Sequence, residues 1–477
     1  MTTPDAPTGT TSDATSDVMA ADPDERPNDR HDSGGLLSPA LRATTVGMLA
    51  LVSLHAFEAL ALTTVMPTIA ADLDGEALYA MAFTATLAAG IVSIVWSGNL
   101  ADRRGPRPPL LIGLALFAVG LVGAGLAPTM PVLVGARVVQ GLGAGMTSTA
   151  LYVMVTRVYP QRLHTAILAG FSAAWVVPSI VGPFVAGLIA QTIGWRWVFG
   201  LAIVVLVAAA ALLSRIVAGL RQEPVPVPWR RGAIVASVAL AVAVLVLNSV
   251  SGAVDVRSLV VAVVALVVVG ATLRRLMPAG TLRLRRGLPS DVALRALAFA
   301  AFTGGEVYLP RLLTERDHLS PSLAGVALTA TGVTWFAGSW VQGRWSDRFE
   351  IGRTARLALG AMAVTLVALA AGVAAGAPAW VLVAVFPVLG LGIGTLYPRV
   401  TAQALSRADD REQGFVSSAL QIGDSAGAAT AIAVSALVFT AAGSSSPDAY
   451  GAPAYVAVLL TMLVPAVVGW LAAHRVR

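Results

Sequence analysis

Long apolar stretches follow one another from Ala43 to Ala473, each bounded by a short cluster of arginines, glycines or prolines. A helix needs roughly 20 apolar residues to cross a hydrocarbon core about 30 Å thick. Breaking the chain at its charged and Gly/Pro clusters predicts helices near 43–69, 78–100, 108–127, 130–155, 163–190 and 196–216. A loop with Arg221, Pro224, Pro226, Pro228, Arg230 and Arg231 follows, then two more runs near 233–252 and 257–275. After the basic loop RLMPAGTLRLRRGLPSD, spans recur near 291–313, 321–343, 355–376, 379–402, 413–441 and 452–473. The pattern is six, two and six. The strands of a β-barrel would instead alternate polar and apolar residues over about ten positions. The expectation is an all-α polytopic membrane protein of about fourteen transmembrane helices. Its parts are a disordered cytoplasmic tail (1–38), a six-helix bundle (39–217), a linker with two extra transmembrane helices (218–289) and a second six-helix bundle (290–477).

Composition agrees, with 56% hydrophobic and only 12% charged residues, against roughly 25% charged in soluble domains. The net charge of +6 does not point to nucleic acid, because the arginines stand in short clusters between apolar runs. They set orientation instead. Most of them, including Arg103, Arg104, Arg107, Arg157, Arg162, Arg274, Arg275, Arg348 and Arg411, fall in alternate loops, whereas the loop after the first helix carries Asp72, Asp74 and Glu76. The basic loops are therefore expected to be cytoplasmic, as are both termini, which requires an even number of spans. The chain has no lysine and no cysteine, which excludes disulfides, thiolate metal sites and a cysteine nucleophile. Residues 1–38, rich in Thr, Asp, Pro and Ser, lack the basic start and apolar core of a signal peptide.

The two six-span units share a repeat. GNLADRRGPRPPLL follows the second span, and GRWSDRFEIGRTARL follows the second span of the last six, so Gly98 precedes Asp102 by the same step as Gly343 precedes Asp347. Repeated bundles facing each other across a midplane cavity are the architecture of many secondary transporters.

The segment containing Gly98, Asp102, Arg103, Gly105 and Arg107 resembles the loop signature of the major facilitator superfamily. The resemblance implies that Asp102 latches the two halves at the cytoplasmic rim, its partner being the start of the span at 413–441, and that Asp347 and Arg348 repeat the device. In the fourth span, ARVVQGLGAGM resembles the superfamily's Arg-x-x-Gln-Gly pattern through Arg137, Gln140 and Gly141, implying that Arg137 influences protonation of a nearby carboxylate. In the fifth, PSIVGPFVAGLI resembles the antiporter motif through Gly182, Pro183 and Gly187, with Pro178 and Ala186 standing where that pattern usually has glycine. Pro183 is expected to bend this span, and the small residues to let it pack on the other half. GWRWVF (194–199) is similar to a segment of the drug-exporter branch, although an interfacial aromatic belt explains it almost as well.

Charges inside the spans carry the candidate chemistry. Glu58, Glu306 and Asp424 each sit in apolar surroundings, where a carboxylate costs about 2.5–3.5 kcal/mol unless paired, protonated or facing a cavity. Desolvation disfavours the ionised form, so such groups suit the uptake of a proton on one side and its release on the other. Glu58 with Pro67, Thr68, Ile69 and Ala70 resembles the first-helix motif of the fourteen-helix drug:proton antiporters, in which aspartate commonly holds the acidic position. His55, one turn earlier, is a candidate to share the Glu58 proton. Phe57, Trp175, Trp335, Phe336 and Tyr397 are candidate cavity aromatics.

Together these features imply a proton-coupled efflux antiporter for amphipathic or cationic small molecules, monomeric, in a bacterial plasma membrane. Its partners would be the bilayer, the proton and a small-molecule substrate, with no nucleic acid and no cofactor or metal. A lipid or metabolite carrier on the same fold is the nearest alternative. A membrane enzyme would need acidic or histidine clusters in a large outer loop, a phosphate cradle or a nucleophile motif, and the chain has none.

Overall fold

The computed structural model describes residues 35–75, 78–220, 228–250, 255–319, 321–345, 348–409, 411–443 and 451–476. Asp347, Glu76, residues 1–34 of the expected tail and the side chain of Pro67 lie outside that description. Apolar runs become helices because a backbone without water must satisfy its polar groups internally. The first six are α1 (Arg42–Asp72), α2 (Tyr79–Arg104), α3 (Arg107–Gly125), α4 (Met130–Val158), α5 (Gln161–Thr192) and α6 (Arg196–Gly219). The linker supplies α7 (Arg231–Val250) and α8 (Val256–Leu276). Then come α9 (Leu288–Glu306), α10 (Leu309–Arg311), α11 (Pro321–Trp345), α12 (Ile351–Ala374), α13 (Ala379–Val385), α14 (Pro387–Ser406), α15 (Gln413–Gly443) and α16 (Ala452–Ala472). No strand occurs among the described residues. Eleven helical stretches there are long and apolar enough to cross a membrane, and α7 adds a shorter apolar stretch, Arg231–Leu247.

Two expected single spans are divided. The run at 291–313 stops at Glu306, turns through residues 307–308, and resumes as α10 and a π-helical turn, Leu312–Arg316. Pro310 has no N–H to bond the carbonyl of Glu306. Likewise α13 and α14 meet at Phe386, just before Pro387.

One core runs through α1 to α6, with Met48, Leu51, Phe117, Leu121, Met154 and Phe199 all buried, and continues across the seam to Val292 of α9, Leu405 of α14 and Val416 of α15. A second, around Leu359, Met362, Phe386, Phe439 and Tyr455, unites α9 to α16. Close approach of small residues does the packing where apolar burial gives little drive. An added Cβ on Gly143, for example, would stand 2.7 Å from the Gly113 carbonyl oxygen. The linker helices lie against the seam, where Leu240 and Val244 of α7 and Val269 and Leu276 of α8 cluster with Ile91 and Ile94 of α2 and Ile422 and Ala426 of α15.

Candidate functional site

In the first bundle, α1 brings Glu58 against Arg137 of α4 as an ion pair, the two side chains 11% and 4% exposed. Arg137 also donates from Nη1 to Gln140 Oε1 at 2.7 Å and from Nε to the Ala82 carbonyl at 3.2 Å. The three-residue step from Arg137 to Gln140 places both on one helix face. Thr86 donates to the Arg137 carbonyl at 3.2 Å, which ties α2 to the same point. An added Cβ on Gly141 would meet the Thr86 Cα at 2.9 Å, so glycine there allows the approach. Charges this far from water persist only when paired and hydrogen-bonded. Gln140 Nε2 is buried with no hydrogen-bond partner among the described residues.

His55 does not point to this pair. Its Nε2 lies 3.2 Å from Thr147 Oγ1 and its ring packs edge-on to Phe117, 5.0 Å between centroids.

The second bundle holds a matching pair: Asp424, expected from the sequence, with Arg295, which the charge pattern along the chain did not single out. Arg295 of α9, 1% exposed, donates from Nη2 to Asp424 Oδ2 of α15 at 2.5 Å, and from Nε to both carboxylate oxygens at 3.2 Å. Its Nη1 donates to Thr401 at 2.9 Å, and the Tyr397 hydroxyl donates to Asp424 Oδ2 at 2.6 Å. The guanidinium also lies 4.1 Å from the Tyr397 ring centroid and, crossing to the first bundle, donates to the Tyr152 hydroxyl at 3.3 Å. An arginine directly before the apolar run ALAFAAF (296–302) was the available signal.

Glu306 ends α9, half-buried, at the break before α10 and away from both pairs. The three acids therefore occupy three separate environments. Trp335 and Tyr397 come together with Phe299 and Phe302, with Trp335 4.9 Å from Phe302 and 5.7 Å from Tyr397 between centroids. Trp335 Nε1 is buried without a hydrogen-bond partner among the described residues. Trp175 and Phe336 are exposed, and Phe57 is half-buried near Gly182 of α5.

The bundles are joined toward the end that carries Arg103 and Arg104, the basic end. There Asp102 accepts from the backbone N–H of Gly414 at 2.6 Å and of Phe415 at 3.1 Å, in the first turn of α15. A carboxylate at a helix N-terminus satisfies free donors and the helix dipole together. An added Cβ on Gly98 would stand 2.5 Å from the Gly414 carbonyl oxygen, so glycine is what lets α2 and α15 close. Thr156 donates to Gln413 at 2.8 Å, and Ser148 to Gln421 at 2.6 Å. Gly105 takes φ +75° as it ends α2. Arg103 lies over the Trp229 ring, Arg107 donates to the Ala218 carbonyl at 3.4 Å, and Arg348 is exposed. Gly343 of α11 faces Ala166 and Ala169 of α5. By contrast, the nearest neighbours of Gly182 and Gly187 are Phe57 and Thr64 of α1. The antiporter-like stretch thus packs within its own bundle at these glycines, not on the other half as expected, and Pro183 stays inside a continuous α5.

Comparison with known proteins agrees with this geometry. The family described as Major Facilitator Superfamily matches residues 48–432. A Mycobacterium tuberculosis protein called "Probable multidrug-efflux transporter Rv1634" is 28% identical over 403 residues, covering 80% of this chain and 83% of that protein. Among solved structures, the human organic anion transporter MFSD10 (TETRAN) superposes with a TM-score of 0.67 at 15% identity, covering 90% of this chain and 98% of that one. A bacterial homologue of the iron transporter ferroportin, in an outward-facing state, gives 0.63 at 13% identity, covering 91% and 98%.

Proposed function

The chain belongs to the major facilitator superfamily, and from that premise we propose that it is a proton-coupled exporter of amphipathic or cationic small molecules. The observation that carries this reading is the buried Glu58–Arg137 pair with Gln140 beside it. Protonating Glu58 removes one charge of the pair, while Arg137 keeps its bonds to Gln140 and the Ala82 carbonyl. A cationic substrate group competes with the proton for the same carboxylate, which is the exchange an antiporter needs. The pH gradient can drive it, since a one-for-one exchange of a proton for a monovalent cation moves no net charge. With a neutral substrate one charge does cross, and through 100 mV that is worth about 2.3 kcal/mol. The multidrug-efflux name of the mycobacterial relative supports the direction and the cargo.

In this reading the fourteen spans are α1 to α8, α9 with α10, α11, α12, α13 with α14, α15 and α16. The domain limits are those expected from the sequence, and both termini face the cytoplasm. The basic end is cytoplasmic, and the Asp102 contacts that close it are those an alternating-access cycle must break to open that side. Asp424 with Arg295 is a second candidate for the proton. Glu306 is an acid for a substrate cation, and the Phe299, Phe302, Trp335 and Tyr397 cluster is an apolar wall for its body. The protein works as a monomer in a bacterial plasma membrane.

The test is substrate-driven proton release from proteoliposomes, with a panel of cationic and neutral amphipaths. Release by the parent that is lost in Glu58→Gln supports the reading. Transport indifferent to pH gradient and protonophore would sink it.

A further inference from the structure

The linker does more than add two helices. Just before α7, Trp229 and Arg230 reach the point where the bundles meet. The Arg230 backbone N–H donates to Asn99 Oδ1 of α2 at 3.1 Å, and Asn99 is itself fixed by donating Nδ2 to the Val95 carbonyl at 2.9 Å. The Arg230 side chain turns the other way. Its guanidinium lies 4.0 Å from the ring centroid of Phe415, in the first turn of α15, and its Nη2 is 3.5 Å from Glu412 Oε1. Trp229 receives the Arg103 guanidinium of α2 at 5.1 Å from its ring centroid. Asn99, Asp102, Arg230, Phe415 and Ser418 line one small cavity, so these contacts adjoin the Asp102 latch.

Because α2 and α15 belong to different bundles, opening this end must break the bonds from Gly414 and Phe415 to Asp102. It must also free Arg230 from one of its two sides. The arm to α2 is a backbone bond backed by α7, which clusters through Leu240 and Val244 with both α2 and α15 but packs more extensively on α2. The arm to α15 is a partly exposed cation–π contact and ion pair, the weaker kind of interaction. We propose that the Trp229–Arg230 step is a brace that holds the basic end closed. Arg230 is then a positioning residue of the transport cycle, whose guanidinium lets go of α15 as that end opens. The linker helices thereby bias which state the two bundles adopt. This goes beyond the proposed transport reaction and does not rest on the choice of cargo or coupling ion.

The test exploits the absence of cysteine. Spin labels on Arg104→Cys and Arg411→Cys report the basic end, and labels on Thr129→Cys and Ala375→Cys the opposite end, in full-length protein reconstituted in nanodiscs without substrate. Arg230→Ala is expected to raise the population open at the basic end, relative to closed, by about threefold, the size of one exposed cation–π contact with a weak ion pair. The distance at the opposite end should shorten in the same fraction of molecules. Arg230→Lys, which keeps the charge without the planar stack, should fall between, and merely local loosening would not produce that graded, reciprocal shift. Distributions for Arg230→Ala superimposable on the parent overturn the proposal. Should that variant not fold, Phe415→Leu and Glu412→Gln remove the same arm singly, and unchanged distributions in both overturn it equally.

Discussion

Arg295 and Asp424, 129 positions apart in sequence, meet at 2.5 Å inside the second bundle, with the Tyr397 hydroxyl on the same carboxylate oxygen. Removing one partner of such a buried pair leaves an uncompensated charge, at a cost of about 3–5 kcal/mol. Arg295→Ala is therefore expected to lower the thermal midpoint in detergent sharply. The double variant Arg295→Met with Asp424→Leu should regain most of that loss, because apolar replacement of the whole pair is often neutral. A single Arg295→Ala variant as stable as the parent would contradict the buried-pair geometry.

For Glu58 the expected outcome separates fold from function. Glu58→Gln keeps an acceptor for Arg137 at nearly the same volume, so the protein should accumulate and elute normally. Its substrate-driven proton release should fall at least about tenfold. Glu58→Asp, which shortens the reach by one methylene, should retain measurable exchange. Proton release assayed in proteoliposomes reads both.

At the basic end, Gly98→Ala places a methyl where the Gly414 carbonyl already sits, 2.5 Å from the added Cβ. Backbone cannot yield as a flexible side chain can, and overpacking of this kind costs about 1–3 kcal/mol. The closed state carries that cost, so spin labels on Arg104→Cys and Arg411→Cys should report a longer mean distance than in the parent.

Near the opposite end, the Trp195 indole N–H and the Arg196 guanidinium both donate to Asp72 at 3.0 Å and hold its carboxyl below the ordinary value of 3.8. A depressed folded-state pKa contributes stability that is complete above 3.8 and is lost as pH falls through the lower folded value. The stability difference between parent and Asp72→Asn should accordingly be level at neutral pH and shrink below about pH 4. A pH-stability series of the two proteins measures it.

Hydropathy is a local property of the chain, which is why the helices from α1 to α16 stand close to where the apolar runs end. The same holds for the latch: Gly98 and Asp102 were legible because their four-residue step is short and recurs at Gly343 and Asp347, and Gly105 through the resemblance of the segment to the superfamily's loop signature. The breaks at Val307–Tyr308 and Phe386 were legible only as the prolines beside them, and Pro178, Pro183, Pro398 and Pro465 show that proline alone does not end a helix here.

What each buried charge meets was decided by tertiary structure. Glu58 stood out along the sequence, but its bond to Arg137 joins helices 79 positions apart. Arg295 showed along the chain only as a charge beside an apolar run, and its cross-bundle contact with Tyr152 left no local trace. His55 and Glu58 are one turn apart on one face of α1, yet the imidazole meets Thr147 and the carboxylate meets Arg137, ten positions apart on α4. Arg230 reads along the chain as one more basic loop residue, and becomes a bridge only because α2 and α15 converge on it. Which segments are long and apolar enough to enter a membrane was legible in the chain alone, since transfer from water depends on composition over about 20 residues. Only the folded arrangement decided which charges are partnered, since that depends on which helix faces are brought together.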